Sequence, residues 1–491
     1  MKKLITSMSA IFFLAGCNSE LPLKDLTTSK QWFDQGAERV KQRKAELIQQ
    51  HYRFKQSLTR STKAKNIIFV VGDGMGVSTL TAARIFVGQE RGLLGEEFAL
   101  SFEHFPNSAL IKTYNVDLQT PDSAGTMSAL MTGIKTNEGI ISLPDSTVRG
   151  ECNPTASLPT VIDLAKAKGK STAMVTTARV THATPATTYA HSPDRNWESD
   201  HALSDAAKDL GCLDIASQFV QSDTHTLDIL FGGGRRHFIP EAIGGKRQDG
   251  QNLIKQWQKT GRYVDNLSSL NGLVSLEEPS KDDVPWLGLF ASSHMDYAYQ
   301  RPPEQPSLQQ MTAIALKRLQ RDPDGFALII EAGRIDHGHH AGMAYKALTE
   351  TQELHQTVAW LLTQVDVSET LIVVTADHSH TLTLAGYTTR GNPILGAVVG
   401  NDSLGHPKAS ATLDKQGKPY TSLSYRDGPG ASADRQLDYY SPNYQQVALV
   451  PMDYETHGGE DVALYAIGPM AQLFSGTLEQ HWVFHALKYA M

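Results

Sequence analysis

Acidic and histidine side chains are concentrated at residues 331–340, which have the sequence EAGRIDHGHH. This stretch follows the apolar residues 326–330, which are typical of a strand buried on both faces. If a helix begins here, Asp336 and His340 lie one turn apart on the same helix face, a spacing that can hold a zinc ion. Glu331 could hold a second, harder cation through oxygen. A solvated loop between a strand and a helix is the alternative, so other parts of the sequence must decide.

Three other apolar segments lead into residues of the same types. Asp73 follows residues 66–71, His182 and Thr184 follow residues 170–176, and Asp377 and His378 follow residues 370–375. Ligands of open parallel sheets bind beyond the carboxyl ends of the strands. Four such clusters therefore predict one cation site at one edge of a parallel sheet. A later motif, THGGED at residues 456–461, adds His457 as a candidate ligand.

The turn after residues 66–71 is rich in glycine, with the sequence GDGMG at residues 72–76. A glycine-rich turn after a strand could indicate a dinucleotide-binding site, but the spacing is not G-x-G-x-x-G. The carboxylate of Asp73 would also repel a bare phosphate here. Asp73 is consistent with phosphate binding if a metal ion lies between the two.

The candidate nucleophile is Ser123, in the sequence PDSAGT that precedes the helical run at residues 127–131. Asp122 or Ser123 could simply cap this helix. A serine at a helix N-terminus also favours negative charge on its oxygen and on an attacked phosphate. Because no G-x-S-x-G motif surrounds Ser123, the sequence predicts activation by a metal, not by a Ser-His-Asp relay.

Arg195 is a candidate phosphate ligand because it lies shortly after His182 and Thr184 in the chain. Its planar guanidinium can bind two phosphate oxygens at once. A surface ion pair is the alternative role for this arginine.

The overall composition is that of a globular protein. The chain has 491 residues, of which 40% are hydrophobic and 20% charged, so it can bury a large core. The formal net charge is -7 and no stripe of lysine and arginine stands out, so the sequence gives little support to a nucleic-acid partner.

The N-terminus predicts export. Lys2 and Lys3 precede the apolar residues 5–14, a segment too short for a spanning helix. The following Leu-Ala-Gly-Cys17 resembles the lipobox of bacterial lipoproteins, which implies a signal peptide at residues 1–16 and lipidation of Cys17. Asn18 favours the outer membrane, facing the periplasm. A plain signal peptide followed by a chance cysteine is the alternative.

Two further cysteines, Cys152 and Cys212, are expected to form a disulfide because an exported chain matures in an oxidising compartment. The bond would close a loop of about 60 residues that carries His182, Thr184 and Arg195, and would contribute on the order of 4 kcal/mol. Neither cysteine has the spacing of a metal ligand.

The chain is expected to divide into three parts after the signal peptide. Residues 17–62 are predicted to form a lipidated tether and a helix from Lys30 to about Tyr52, with an apolar stripe. The stripe consists of Trp32, Phe33, Val40, Leu47 and Ile48. Residues 63–491 are predicted to form the catalytic domain, interrupted at about 386–451 by an insertion rich in Gly, Pro, Ser and Tyr.

Together, these motifs resemble those of the alkaline phosphatases, from about Asn66 to the C-terminus. The resemblance implies a first zinc site at Asp336, His340 and His457, a second zinc site at Asp73, Asp377 and His378, and a magnesium site at Asp73, Thr184 and Glu331. It also implies that Ser123 is the nucleophile and that Arg195 binds the phosphate. His182 and His337 are expected to stand behind the metal ligands. This His/His pair is similar to that of the animal enzymes and of some marine bacterial ones.

The resemblance further implies an α/β fold, with a mostly parallel central sheet flanked by helices, a crown-type insertion and a homodimer. The expected reaction is hydrolysis of phosphate monoesters through a phosphoserine. Sulfatases need Pro and Arg after the nucleophile, and Ser123 lacks both. Phosphodiesterases usually lack the third metal set, but Thr184 and Glu331 are present. Phosphoglycerate mutases are a further related alternative. A lipid-anchored phosphate-binding or zinc-binding protein without turnover is the alternative from another class.

Overall fold

The computed structural model describes residues 29–60, 63–152, 157–221, 227–273, 284–431 and 438–491. The predicted signal peptide and Cys17 lie outside these residues. Two structural units divide the chain, Met1–Tyr52 and Arg53–Met491. Among the described helices, none combines the length and the apolar character that crossing a membrane requires.

Fifteen strands are found in the described residues. They are β1 (Asn66–Gly72), β2 (Asn107–Lys112), β3 (Ser171–Arg179), β4 (Ile229–Gly233), β5 (Arg262–Val264), β6 (Trp286–Leu289), β7 (Phe326–Ala332), β8 (Thr370–Ala376), β9 (Ser379–His380), β10 (Leu382–Leu384), β11 (Leu423–Gly428), β12 (Ala448–Pro451), β13 (His457–Gly458), β14 (Val462–Ile467) and β15 (Gly476–Glu479).

The same residues form thirteen α-helices. They are α1 (Ser29–Arg60), α2 (Val77–Glu90), α3 (Ser123–Thr132), α4 (Val161–Ala167), α5 (Ala183–Ala186), α6 (Asp205–Asp209), α7 (Ile215–Gln221), α8 (Leu253–Trp257), α9 (Leu267–Gly272), α10 (Leu308–Leu319), α11 (Arg334–His340), α12 (Ala344–Leu361) and α13 (Trp482–Ala490). Helix α1 is longer than the predicted helix, which ends near Tyr52.

The central sheet has ten strands in the order β15-β2-β14-β8-β1-β7-β3-β4-β6-β5. The pairs from β8 to β5 are all parallel, and β14 is antiparallel to both of its neighbours. The four strands predicted to carry ligands are β1, β3, β7 and β8, and they are adjacent in the order β8-β1-β7-β3. This arrangement confirms the predicted α/β fold with a mostly parallel sheet.

The sheet is the hydrophobic core of the second unit. Residues 67–71 of β1 are completely buried, as are residues 327–330 of β7. Two groups of helices lie near these strands: α12 contacts both α2 and α10, and α3, α4 and α13 contact one another. Both groups contact β7, which is why residues 326–330 of this strand are all apolar and show no alternation.

The segment predicted as an insertion contributes to a small separate sheet. Strands β10, β11 and β12 form this sheet, in which β11 is antiparallel to β10 and parallel to β12. Isolated bridges, such as that between Ala397 and Thr421, connect parts of the remaining segment. A further pair, β9 with β13, brings His380 opposite His457 across a long sequence separation.

Cys152 and Cys212 form a disulfide between residues that are separated by 60 positions. Both cysteines pack against a small apolar cluster that contains Trp197 and Leu203. The disulfide therefore closes the loop that contains Arg195, and it packs beside residues that follow Arg195 in the chain.

A buried ion pair lies at the end of β3. Arg179 donates two hydrogen bonds of 2.7 Å to Glu198, and Thr181 donates a third of 2.6 Å. Burial alone would raise the pKa of Glu198, but His237 and Arg179 lower it to about 2. Since burial lowers the pKa of His237 itself to about 4, His237 is neutral at neutral pH. Arg179 therefore supplies the positive charge that stabilises Glu198 under those conditions.

Removing this cation should be costly. The substitution Arg179→Ala leaves Glu198 buried without a counter-charge, so we expect the free energy of unfolding at neutral pH to fall by about 3–5 kcal/mol. The folded pKa of Glu198 lies below its ordinary value of 4.5, so its contribution is present above pH 4.5 and is lost as the pH falls toward 2. The measurement is urea unfolding at several pH values. The difference in the free energy of unfolding between variant and wild type should become smaller in acid.

Arg149→Ala is the matched control for this experiment. The Arg149 side chain is 36% exposed and pairs with Glu138 and Asp194, so its loss should cost no more than about 1 kcal/mol. Equal losses in the two variants, or a loss at Arg179 that does not depend on pH, would contradict the assigned role of the buried pair.

Candidate active site

The carboxyl ends of the four central strands meet at one edge of the sheet, and the predicted ligands lie there. Asp73 follows β1, Asp377 and His378 follow β8, and Glu331 lies near the end of β7. Helix α11 then places Asp336 and His340 one turn apart, as its residue spacing predicts. The four carboxylates are at most 3% exposed. The fold therefore brings together groups that repel one another.

A first group of ligand atoms comes from Asp336, His340, His380 and His457, and these atoms all lie within 4.8 Å of one another. The Nε2 atoms of His340 and His457 are 3.2 Å apart and lie 3.2 and 3.4 Å from Asp336 Oδ1. The other ring nitrogen of each histidine donates to a backbone carbonyl, that of Glu455 at 2.6 Å and that of Pro121 at 2.8 Å. Both Nε2 lone pairs are thus free for a cation.

His380 is a member of this group that the sequence analysis did not assign. Its Nε2 lies 2.8 Å from Asp336 Oδ1, and its Nδ1 lies 2.5 Å from Glu455 Oε2. Burial alone would lower the pKa of His380, but Glu455 and Asp336 raise it to about 10. His380 therefore donates from both nitrogens and orients Asp336, although its position alone would also suit a ligand. The Asp-His-Ser-His spacing at residues 377–380 is the sequence feature that could have identified it.

A second group surrounds His378. Its Nε2 lies 3.4 Å from Asp73 Oδ1, 3.4 Å from Asp377 Oδ2 and 3.0 Å from Ser123 Oγ. Its Nδ1 lies 3.2 Å from the carbonyl oxygen of Ser379 and donates to it. No carboxylate therefore occupies the Nδ1 side, which a Ser-His-Asp relay would need. Burial, reinforced by nearby carboxylates, raises the pKa values of Asp73 and Asp377. Bound cations would relieve this repulsion.

A third group consists of Asp73, His182 and Glu331, with ligand atoms within 4.8 Å of one another. Thr184 Oγ1 lies 3.4 Å from Asp73 Oδ2, and Thr176 donates to Glu331 at 2.5 Å. Each member of the group has one buried atom without a hydrogen-bond partner: Asp73 Oδ1, His182 Nδ1 and Glu331 Oε1. Unsatisfied buried polar atoms are costly, and a cation bound by this group could interact with them.

His182 and His337 were both expected behind the ligands. The Nδ1 atom of His337 lies 2.8 Å from Gly333 O, and its ring is 5.5 Å from that of His182. His182 offers one ring nitrogen to the third group, and its Nδ1 is buried without a hydrogen-bond partner. Its position behind the metal ligands stays a prediction.

Ser123 is the first residue of α3 and is 2% exposed. Asp122 caps the helix by accepting from the backbone N–H groups of Ala124 and Gly125. Arg195 donates to Asp122 Oδ2 at 2.9 Å, and Asn115 donates to Oδ1 at 2.9 Å. Burial would raise the pKa of Asp122, but Arg195 holds it below its ordinary value. Asp122 thus ties Arg195 to helix α3.

The described residues fit the metal ions that the sequence analysis expects. The first two groups offer imidazole nitrogen and carboxylate oxygen, which are the ligands of zinc. The third set offers Asp73, Thr184 and Glu331, whose oxygen atoms suit magnesium. The site thus combines a serine at a helix N-terminus, an arginine and three cation-binding groups.

Comparison with known proteins supports this description. The family model described as alkaline phosphatase matches residues 64–491. An alkaline phosphatase of Gadus morhua is 42% identical over 461 residues, which cover 89% of this chain and 93% of the relative. The human tissue-nonspecific isozyme is 39% identical over 500 residues, covering 96% and 90%.

Solved structures show the same fold. The alkaline phosphatase of the Antarctic bacterium TAB5 matches with a TM-score of 0.60 at 21% identity, covering 87% of this chain and 98% of its own. That of Thermus thermophilus gives a TM-score of 0.62 at 23% identity, covering 87% and 91%. The predicted family and enzyme class are confirmed: the chain belongs to the alkaline phosphatase family and is a phosphatase.

Proposed function

We propose that this enzyme hydrolyses phosphate monoesters to an alcohol and inorganic phosphate through a phosphoserine on Ser123. The observation that carries the proposal is the position of Ser123 Oγ, 3.0 Å from His378 Nε2 and among buried carboxylates at a helix N-terminus. Membership of the family supports phosphate monoesters as the substrate class.

The metal ions of this proposal are two zinc ions and one magnesium ion. Asp336, His340 and His457 would hold the first zinc, and Asp73, Asp377 and His378 the second. The oxygen set of Asp73, Thr184 and Glu331 would hold magnesium, and a variant of the TAB5 enzyme is described with Mg bound. When bound, such ions supply Lewis acidity, which lowers the pKa of a nearby hydroxyl and neutralises developing negative charge.

The residues of this chain perform the reaction in two displacements. Ser123 Oγ forms a bond to phosphorus while the ester P–O bond breaks, and the alcohol leaves with a proton. Water then forms a bond to phosphorus, the serine P–O bond breaks, and Ser123 regains a proton. Arg195 binds the non-bridging oxygens, and the N-terminus of α3 favours the negative charge on them. Asp122 keeps Arg195 beside Ser123 through both steps.

Ser123→Ala should abolish turnover of p-nitrophenyl phosphate, lowering kcat by at least about a thousandfold. Ser128→Ala is the matched control, because Ser128 is a buried serine of the same helix whose hydroxyl donates to Ile140 O. Turnover of the diester bis(p-nitrophenyl) phosphate tests the phosphodiesterase alternative. Faster cleavage of the bis ester, or monoester turnover that survives in Ser123→Ala, would reject the proposal.

His380 provides a second test, of the first zinc site. His380→Asn removes a hydrogen bond to Asp336 Oδ1, so we expect zinc affinity to fall about 10- to 100-fold, measured by competition with a chromogenic chelator. His339→Asn is the control, because His339 is also buried but bonds to Thr79 and Tyr425. Unchanged zinc affinity in His380→Asn, or equal loss in both variants, would show that His380 does not support this site.

We also propose that the enzyme is a homodimer, held at the outer membrane and facing the periplasm by a lipid on Cys17. The sequence at residues 1–17 supports the anchor. The side chains of Val40, Leu47 and Ile48 on α1 are 50–69% exposed and would suit a second copy of the chain.

The wild-type protein and the variant Cys17→Ser together test both parts of this proposal. Wild-type protein should partition into detergent and Cys17→Ser should not, and light scattering of Cys17→Ser should give twice the mass of one chain. Wild-type protein that stays in water would reject the anchor, and a single-chain mass would reject the dimer.

A further inference from the structure

A cavity of about 550 Å³ lies next to the segment that leads to Ser123, and the proposed reaction does not use it. Residues 112–119, which follow β2 and run toward Ser123 in the chain, form most of its wall. Gly459 and Asp461, which come shortly after His457, form the rest. Sites for small molecules have volumes of about 300 to 1,000 Å³. The cavity is therefore large enough to hold an organic group.

The sheet brings this cavity within reach of a substrate bound at Ser123. Strand β14 is antiparallel to both β2 and β8, so β2 and β8 point the same way and end at the same edge. Neighbouring strands lie about 4.8 Å apart, which puts the end of β2 about 10 Å from the end of β8. Asn115, in the wall of the cavity, donates to Asp122 Oδ1 at 2.9 Å. An ester held by its phosphate at Ser123 can therefore extend its alcohol part into the cavity.

Tyr114 provides an aromatic surface in this wall. Lys135 Nζ lies 3.6 Å from the centre of the Tyr114 ring and donates to the carbonyl oxygen of the same residue at 2.7 Å. Tyr114 is nevertheless 44% exposed, and the neighbouring Val116 is 51% exposed. A held ring that is open to solvent is a surface on which a planar group can stack. Because Lys135 already places a cation at this ring, a neutral planar group is favoured over a second cation.

The charged residues of the wall disfavour a second phosphate. Lys112 is paired with Glu479 at 3.1 Å, whereas Asp117 and Asp461 add two carboxylates. A second phosphate would be repelled by these carboxylates. They can accept hydrogen bonds from amino and hydroxyl groups, and so can the side-chain carbonyl of Gln119. A nucleoside combines such groups with a planar base and carries no charge.

We propose that this cavity holds the alcohol part of the substrate and that Tyr114 stacks on a planar group there. The enzyme then favours nucleoside monophosphates over phosphate esters of small alcohols. Tyr114 contributes to specificity through the alcohol part and takes no part in the displacements at phosphorus. This inference rests on the proposed function, because it requires the phosphate to be held at Ser123.

The test compares two esters of primary hydroxyl groups that differ in the rest of the alcohol. Release of inorganic phosphate gives kcat/KM for adenosine monophosphate and for glycerol phosphate, in the wild type and in Tyr114→Ala. Because the leaving oxygens are alike, the ratio of the two values reports how the alcohol part is bound. Tyr114→Ala should lower this ratio about three- to tenfold, the usual effect of one aromatic contact. An unchanged ratio would overturn the inference.

Two further variants separate stacking from a structural role. Tyr114→Phe keeps the ring and should keep the wild-type ratio. Tyr489→Ala is the matched control and should also keep it, because Tyr489 is 52% exposed, has Lys63 4.1 Å from its ring centre and lies on α13, outside the cavity wall. A lower ratio in either variant would overturn the inference. An equal fall in kcat/KM for both esters in Tyr114→Ala would do the same, since a distorted segment affects both substrates alike.

A cationic ester tests the choice of a neutral group. If Tyr114→Ala lowers kcat/KM for 2-aminoethyl phosphate as much as for adenosine monophosphate, the cavity does not select a planar group and the inference fails. We expect a smaller effect on the cationic ester, because it has no ring to stack on Tyr114.

The outcomes also separate this inference from the proposed function. Turnover of all three esters, with a ratio that Tyr114→Ala does not change, would reject only the role of the cavity. A wild-type enzyme that hydrolyses none of the three esters would reject the proposed function, and the inference with it.

Discussion

Repulsion among buried carboxylates is the constraint on which the rest of the structure depends. Asp73, Glu331, Asp336 and Asp377 converge at one edge of the sheet with almost no exposure to water. Burial raises the pKa of Glu331 to about 8 and raises that of Asp73 as well. Such a cluster is stable as a set of anions only when cations lie among its members. The parallel pairing of β8, β1 and β7 fixes the backbone at Glu331 and immediately before Asp73 and Asp377.

The histidines show how the fold prepares for those cations. His340, His378 and His457 each lie with Nδ1 against a backbone carbonyl, which directs Nε2 inward. The carbonyl that accepts the hydrogen bond of His457 belongs to Pro121, just before helix α3, so His457 is tied to the segment that carries Ser123. The first group of ligand atoms and the position of Ser123 are therefore linked through a hydrogen bond to the backbone. Orientation of ligands by outer hydrogen bonds is a general requirement of metal centres.

The sequence was sufficient to predict the central strands and most of the site, because both follow local rules. Apolar runs predicted β1, β3, β7 and β8, and the polar residues beyond them predicted a shared edge. His380 and Glu455 could not be predicted in the same way. Their roles depend on the pairing of β9 with β13 and on a contact between residues 75 positions apart. The free Nδ1 of His182 was missed for a similar reason, since only the packed structure shows which nitrogen lacks a partner.

The central claim is that the carboxylate and histidine cluster, with its cations, makes Ser123 a nucleophile toward phosphorus. The most direct measurement is peptide mass spectrometry of protein quenched with acid during turnover of a phosphate monoester. The account predicts one added phosphoryl group on the peptide that contains Ser123, in protein loaded with zinc and magnesium but not in protein stripped of metal. Turnover without that adduct, or an adduct that forms equally well without metal, would contradict the account.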